Sequence, residues 1–181
     1  MKGSDAMATE ERHGAKTLRY KVVESFDDME IRKYEPFLIV SVATEKMIGS
    51  EGFRRLFNYI SGDNEMGKEI PMTAPVLNRI SEKASSMAFV MPEEFLIDNI
   101  PQPLQEELMV KEMPSGYYAV LSFKGFNNES KIKLKIEALK YLLEKHNLKE
   151  QSDFYLARFD PPFTLPPLRK NEILVKIQYN D

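Results

Sequence analysis

The sequence predicts an α+β domain in which two strand-strand-helix-strand-strand halves build a distorted, mostly antiparallel β-sheet or barrel flanked by two helices. Three observations predict it. Short β-branched and aromatic runs separated by turn residues recur along the chain, and two segments carry an apolar period of 3.6. The order of these elements also repeats on either side of a link containing Pro101 and Pro103. At 181 residues the chain has the usual size of a single folding unit.

Residues 1–18 are polar and charged with no sustained period, and are expected to be a disordered leader ahead of a domain over 19–181. Residues 20–25 and 29–34 read as a hairpin around Asp27-Asp28. The run 37–44, β-branched and apolar, reads as a central strand covered on both faces. A helix follows, with Ser50 as N-cap and Phe53, Leu56, Phe57 and Ile60 on one face; Ser61-Gly62-Asp63-Asn64 stops it. Strands at 72–80 and 87–91 complete the first half. The second half offers strands near 109–113 and 117–124, a helix, and strands at 153–159 and 172–179.

Composition excludes several classes of function. With 25 basic and 28 acidic residues the formal charge is −3, so no global field gathers nucleic acid or an anionic surface. The chain has no cysteine, which removes thiol chemistry and thiolate metal sites. No apolar run approaches the ~20 residues that span a bilayer, and no apolar signal segment opens the chain. A cytoplasmic monomer that does not bind nucleic acid is expected.

Catalytic groups are scarce as well. Of the two histidines, His13 falls in the expected leader and His146 at the end of the second helix, where an imidazole suits the negative end of the helix dipole. Neighbouring carboxylates such as Glu93-Glu94 are consecutive, so on a strand they point apart. Asp63-Asn64-Glu65 lacks the alternating ligands and distal Glu of a calcium loop. No residue takes a catalytic role, and a non-enzyme is expected.

Binding features are more specific. Arg54, Arg55 and Asn58 flank the apolar stripe of the first helix. A flat apolar molecule with carboxylate tails needs this pairing of dry surface and guanidinium donors. On the second helix Ile132, Ile136, Leu139 and Leu143 form the core stripe, while Leu134 and Tyr141 point away from it and could serve a protein partner.

Four separated blocks, in order, resemble the SOUL heme-binding family. They are Tyr20-Lys21-Val22-Val23-Glu24 with Glu30-Ile31-Arg32-Lys33-Tyr34; Tyr59-Ile60-Ser61-Gly62-Asp63-Asn64; Ile70-Pro71-Met72-Thr73-Ala74-Pro75-Val76; and Tyr155 to Asp160 with Pro161-Pro162-Phe163, followed by Arg169-Lys170-Asn171-Glu172-Ile173-Leu174-Val175. The resemblance implies a gyrase-inhibitor-like effector-domain fold and reversible binding of heme or a related tetrapyrrole near the first helix and the C-terminal loop. Its contacts carry over to Ser50, Phe53, Phe57, Asn58 and Thr164, with Arg54 or Arg55 pairing the propionates. Where some members place an axial histidine this sequence has Lys33, whose amine must lose a proton to bind iron, at a cost of roughly 4.6 kcal/mol at pH 7.

Affinity is therefore expected from ring burial. Roughly 250 Å² at about 25 cal/mol per Å² gives on the order of 6 kcal/mol, or tens of micromolar. These features predict a carrier or buffer; the alternative is a protein-interaction or small-ligand module, without heme, using Leu134 and Tyr141.

Overall fold

The computed structural model describes residues 11–180. Two short strands, β1 (Glu11–Arg12) and β2 (Ala15–Lys16), precede the main body. Then come β3 (Lys21–Phe26), β4 (Met29–Tyr34), β5 (Phe37–Thr44), α1 (Phe53–Ile60), β6 (Val76–Ile80) and β7 (Ser85–Val90). The second half holds β8 (Leu108–Met113), β9 (Gly116–Lys124), α2 (Glu129–Lys145), β10 (Lys149–Arg158) and β11 (Lys170–Gln178), with a 3₁₀ turn over Pro166–Leu168. The α+β class is as expected.

Strands β3 to β11 form one sheet in the order β3-β4-β9-β11-β10-β6-β7-β5-β8, antiparallel at every pairing. The sheet is open, with β3 and β8 at its edges, and is not a closed barrel. Setting β3 aside and exchanging β4–β7 with β8–β11 reproduces the same order read backwards. The two halves are thus related by a pseudo-dyad at the β6–β10 pair, as the duplicated element order predicts.

Both helices pack on one face of this sheet. Leu156 of β10 lies opposite Asn78, which lies opposite Met87, and directly opposed residues share a face. Leu156 and Ile173 pack under α2 with Ile132, Ile136 and Leu139, whereas Met87 and Phe89 pack under α1 with Leu56, Tyr59 and Ile60. The opposite face carries a third cluster that includes Tyr34, Leu77, Ala88, Tyr118, Ala157 and Leu174.

Local differences from expectation have identifiable causes. Residues 11–18 are folded onto the domain: the Ala74 N–H donates to Lys16 O (2.9 Å) and the Leu18 N–H to Ala74 O (3.0 Å). The remainder of the expected leader, residues 1–10, lies outside the described residues. Strand β6 begins at Val76 instead of residue 72, because Pro75 has no N–H for the ladder. Helix α1 is capped by Gly52 and not by Ser50, whose carbonyl accepts from the Phe53 N–H at 3.1 Å. A Cβ at position 52 would lie 2.5 Å from Val42 Cγ1, so only glycine lets the helix approach β5 this closely. Asn128 caps α2 by accepting from the Lys131 N–H at 2.8 Å, and His146 occupies its C-cap, its ring tilted against Phe26 with centroids 4.3 Å apart.

Candidate functional site

The site is assembled where the two halves meet. β1 and β2 pair in register around His13-Gly14, whose φ values of 51° and 77° are those of a two-residue primed hairpin turn. This tip is tied down by Asp160, which follows β10. Arg12 Nε donates to Asp160 Oδ1 (2.7 Å) and Arg12 Nη2 to Oδ2 (3.0 Å). His13 Nε2 meets Oδ1 at 2.8 Å and the Lys170 N–H donates to Oδ2 at 2.6 Å. Burial alone would raise the Asp160 pKa, but the hydrogen bonds from Arg12, the Lys170 N–H and His13 outweigh it and hold the carboxyl below its ordinary value.

Between this clasp, the start of α1 and the loop after β10 lies an open cleft of about 690 Å³, within the range of small-molecule sites. Its α1 wall carries Ser50, Phe53 and Phe57. The rings of Phe53 and Phe57 stack with centroids 6.1 Å apart and an interplanar angle of 13°, and Phe53 meets Phe89 edge-on at 5.2 Å. Phe57 is 48% exposed, so this aromatic face is open to a ligand. Met72, Val76, Phe126, Phe159 and Phe163 add further apolar lining.

Four side chains able to carry positive charge line the cleft: Arg12, His13, Arg158 and Arg169. Arg12 and His13 are held by Asp160, and Arg169 Nε donates to Thr164 O at 2.8 Å. Arg158 differs: its Nε is buried with no hydrogen-bond partner, and desolvation lowers its pKa. At the same end Asn171 Nδ2 donates to Gly125 O and Asn127 Nδ2 to Asn171 Oδ1, leaving Asn127 Oδ1 buried and unpartnered.

The residues expected from sequence divide into two groups. Ser50, Phe53 and Phe57 line one wall. Arg54, Arg55 and Asn58 are exposed and outside the cleft lining, with Arg55 paired to Glu107 at 3.1 Å. Thr164 is not part of the lining, and its hydroxyl is buried and unpartnered. Lys33 lies on β4 between Lys21 and Tyr117, with its ammonium 5.7 Å from the Tyr117 ring centroid, and does not line the cleft. Leu134 and Tyr141 are 71% and 66% exposed on α2, also outside it.

Arg12, His13, Arg158 and Arg169 were not among the expected contacts. Two signals in the sequence point to them: His13-Gly14 as a primed turn, and Arg158 standing two residues after Leu156 on a core-facing strand.

A sequence profile described as SOUL heme-binding protein matches residues 15–176. The chain belongs to the SOUL heme-binding protein family. This SOUL protein is similar to heme-binding protein 2 of Homo sapiens and of Mus musculus, in each case 30% identical over 164 residues, 84% of this chain and 78% of the relative. The fold recurs in the EcmrR C-terminal domain (TM-score 0.65, 8% identity, covering 84% of this chain and 98% of that one). It recurs too in a structure described as a hydrolase from Listeria innocua (TM-score 0.59, 10% identity, 83% and 92% covered). At these identities the likeness concerns the fold alone. Among the described residues of this SOUL protein no helix is long and apolar enough to cross a membrane, and no cluster of three or more His, Asp or Glu could hold a metal ion.

Proposed function

We propose that this protein binds heme or a related tetrapyrrole reversibly, as a non-enzymatic carrier or buffer, in the cleft between α1, the β1–β2 hairpin and the loop after β10. The observation that carries this reading is the exposed Phe53–Phe57 stack on one wall of a cleft of about 690 Å³, in a member of a heme-binding family. The residues fit the group: the lining offers aromatic and aliphatic side chains to a flat macrocycle and guanidinium groups to its acidic side chains.

Heme, when bound, would supply a Lewis-acidic iron centre. Among the described residues His13 is the one imidazole lining the cleft, and its Nε2 is already engaged by Asp160. Binding therefore rests on ring burial and carboxylate pairing, and metal-free porphyrin is accepted. Titration with hemin and with protoporphyrin IX tests this. Saturable Soret change and fluorescence quenching are expected in the micromolar range, with the two affinities within about tenfold of each other. No saturable signal from either at 100 μM protein, roughly the weakest affinity consistent with the ring-burial estimate, overturns the proposal.

A second reading, a protein-interaction module, is favoured by the exposure of Leu134 and Tyr141 seven residues apart on the outer face of α2. Replacing both with serine leaves porphyrin binding unchanged on the first reading.

A further inference from the structure

Strand β10 places Phe154, Leu156 and Arg158 on the helix-covered face of the sheet by simple alternation. The first two belong to the core under α2, and the pattern assigns the third position to an apolar residue. Arg158 stands there instead, with Val76 of β6 on one side and Asn171 of β11 on the other, both of which also line the cleft. It therefore sits at the end of the seam between the duplicated halves.

The other arginines of the cleft are engaged by oxygen atoms of the protein. Arg12 is held by Asp160 and Leu168 O, and Arg169 by Thr164 O and Pro162 O. No hydrogen bond, ion pair or ring contact joins the Arg158 guanidinium to another described residue, and its Nε is buried. An arginine does not shed its proton in proteins, so this is a half-buried cation without a counter-charge, its Nε shielded from water, an arrangement that costs stability unless something else supplies the anion. The unpartnered Asn127 Oδ1 repels anions, which leaves the Arg158 side of the cleft as the place for one.

We propose that Arg158 is the anion anchor of the cleft, so that the site selects amphipathic ligands that join an apolar body to an acidic tail. Resting on the tetrapyrrole reading for the body, the tail is a propionate carboxylate, received by Arg158 and not by Arg54 or Arg55. The cation is kept unpaired in the free protein so that the ligand completes it.

The test compares protoporphyrin IX with its dimethyl ester, by fluorescence quenching, on the unmodified protein, Arg158→Gln and Arg158→Met, together with thermal melts without ligand. The unmodified protein prefers the diacid by about tenfold or more, the usual scale for a hydrogen bond to a charged group. Arg158→Gln brings the two ligands near parity by weakening the diacid alone, and Arg158→Met melts at or above the unmodified protein. If Arg158→Gln keeps the full preference, or Arg158→Met melts well below the unmodified protein, Arg158 is structural and the inference falls. Equal binding of diacid and ester by the unmodified protein overturns it while leaving the tetrapyrrole reading intact. If neither porphyrin binds, that reading fails and the anchor is judged with anilinonaphthalene sulfonate: weaker fluorescence enhancement in Arg158→Gln upholds it, and an equal or absent enhancement overturns it.

Discussion

Asp160 draws four N–H donors onto one buried carboxylate and holds the tip of the β1–β2 hairpin against the body of the protein. Its folded-state pKa is depressed, because the hydrogen bonds it accepts outweigh the effect of burial. The stabilisation is therefore fully present above the unfolded value of 3.8 and is lost as pH falls through the folded value. Asp160→Asn is expected to lower stability at pH 7 by about 2 kcal/mol, with the difference from the unmodified protein closing below about pH 4. Urea denaturation at several pH values checks this; a difference that stays constant from neutral pH to pH 3 contradicts it. Residues of this kind were the hardest to read from sequence. His13 and Arg12 lie in a polar stretch with no period, and their partner is some 147 residues away, so only a two-residue turn signal marked them. Lys33 was legible as a position in a motif, but its strand register turns it toward Tyr117.

Helix α1 is the element on which binding and stability separate. Its 3.6 period identified Leu56 and Ile60 as core, and both are buried. Tyr59 is buried too, with its hydroxyl donating to Pro101 O at 2.7 Å, a satisfaction that comes from the Pro-containing link and is invisible in the helix itself. Phe57 shares the apolar stripe in sequence but stands half out of the core, stacked on Phe53. The stripe is wider than the surface available to bury it, and the surplus becomes the cleft wall. Phe57→Ala is expected to weaken protoporphyrin binding about fivefold to tenfold while changing unfolding free energy by less than about 0.5 kcal/mol. Phe53→Ala, which also loses its edge contact with Phe89, is expected to weaken binding and to cost about 2 kcal/mol of stability. Porphyrin titration with chemical denaturation of both variants separates the two effects; equal losses of stability would show that Phe57 is core.

At the scale of the molecule, the duplication sets where the site lies. The sheet order maps onto itself about the β6–β10 pair, each half brings one helix to the same face, and the cleft reaches the end of that seam at Val76 and Arg158. The repeat of element types was readable because strand and helix periods are local. The closing of the seam was not, since it depends on register between strands far apart in the chain. Arg158 reaches the cleft because β10 pairs β6 with Arg158 opposite Val76, which also lines it. The N-terminal hairpin and the loop of Pro161, Pro162 and Phe163 complete its lining. The most direct test of the whole account is an amide chemical-shift map recorded while protoporphyrin IX is added. The account predicts saturable shifts clustered at Gly14, Ser50, Phe53, Phe57, Arg158 and Phe163, with Lys33, Leu134 and Tyr141 unmoved. Shifts gathered instead around Lys33 or the outer face of α2, or no saturable shift at all, would contradict it.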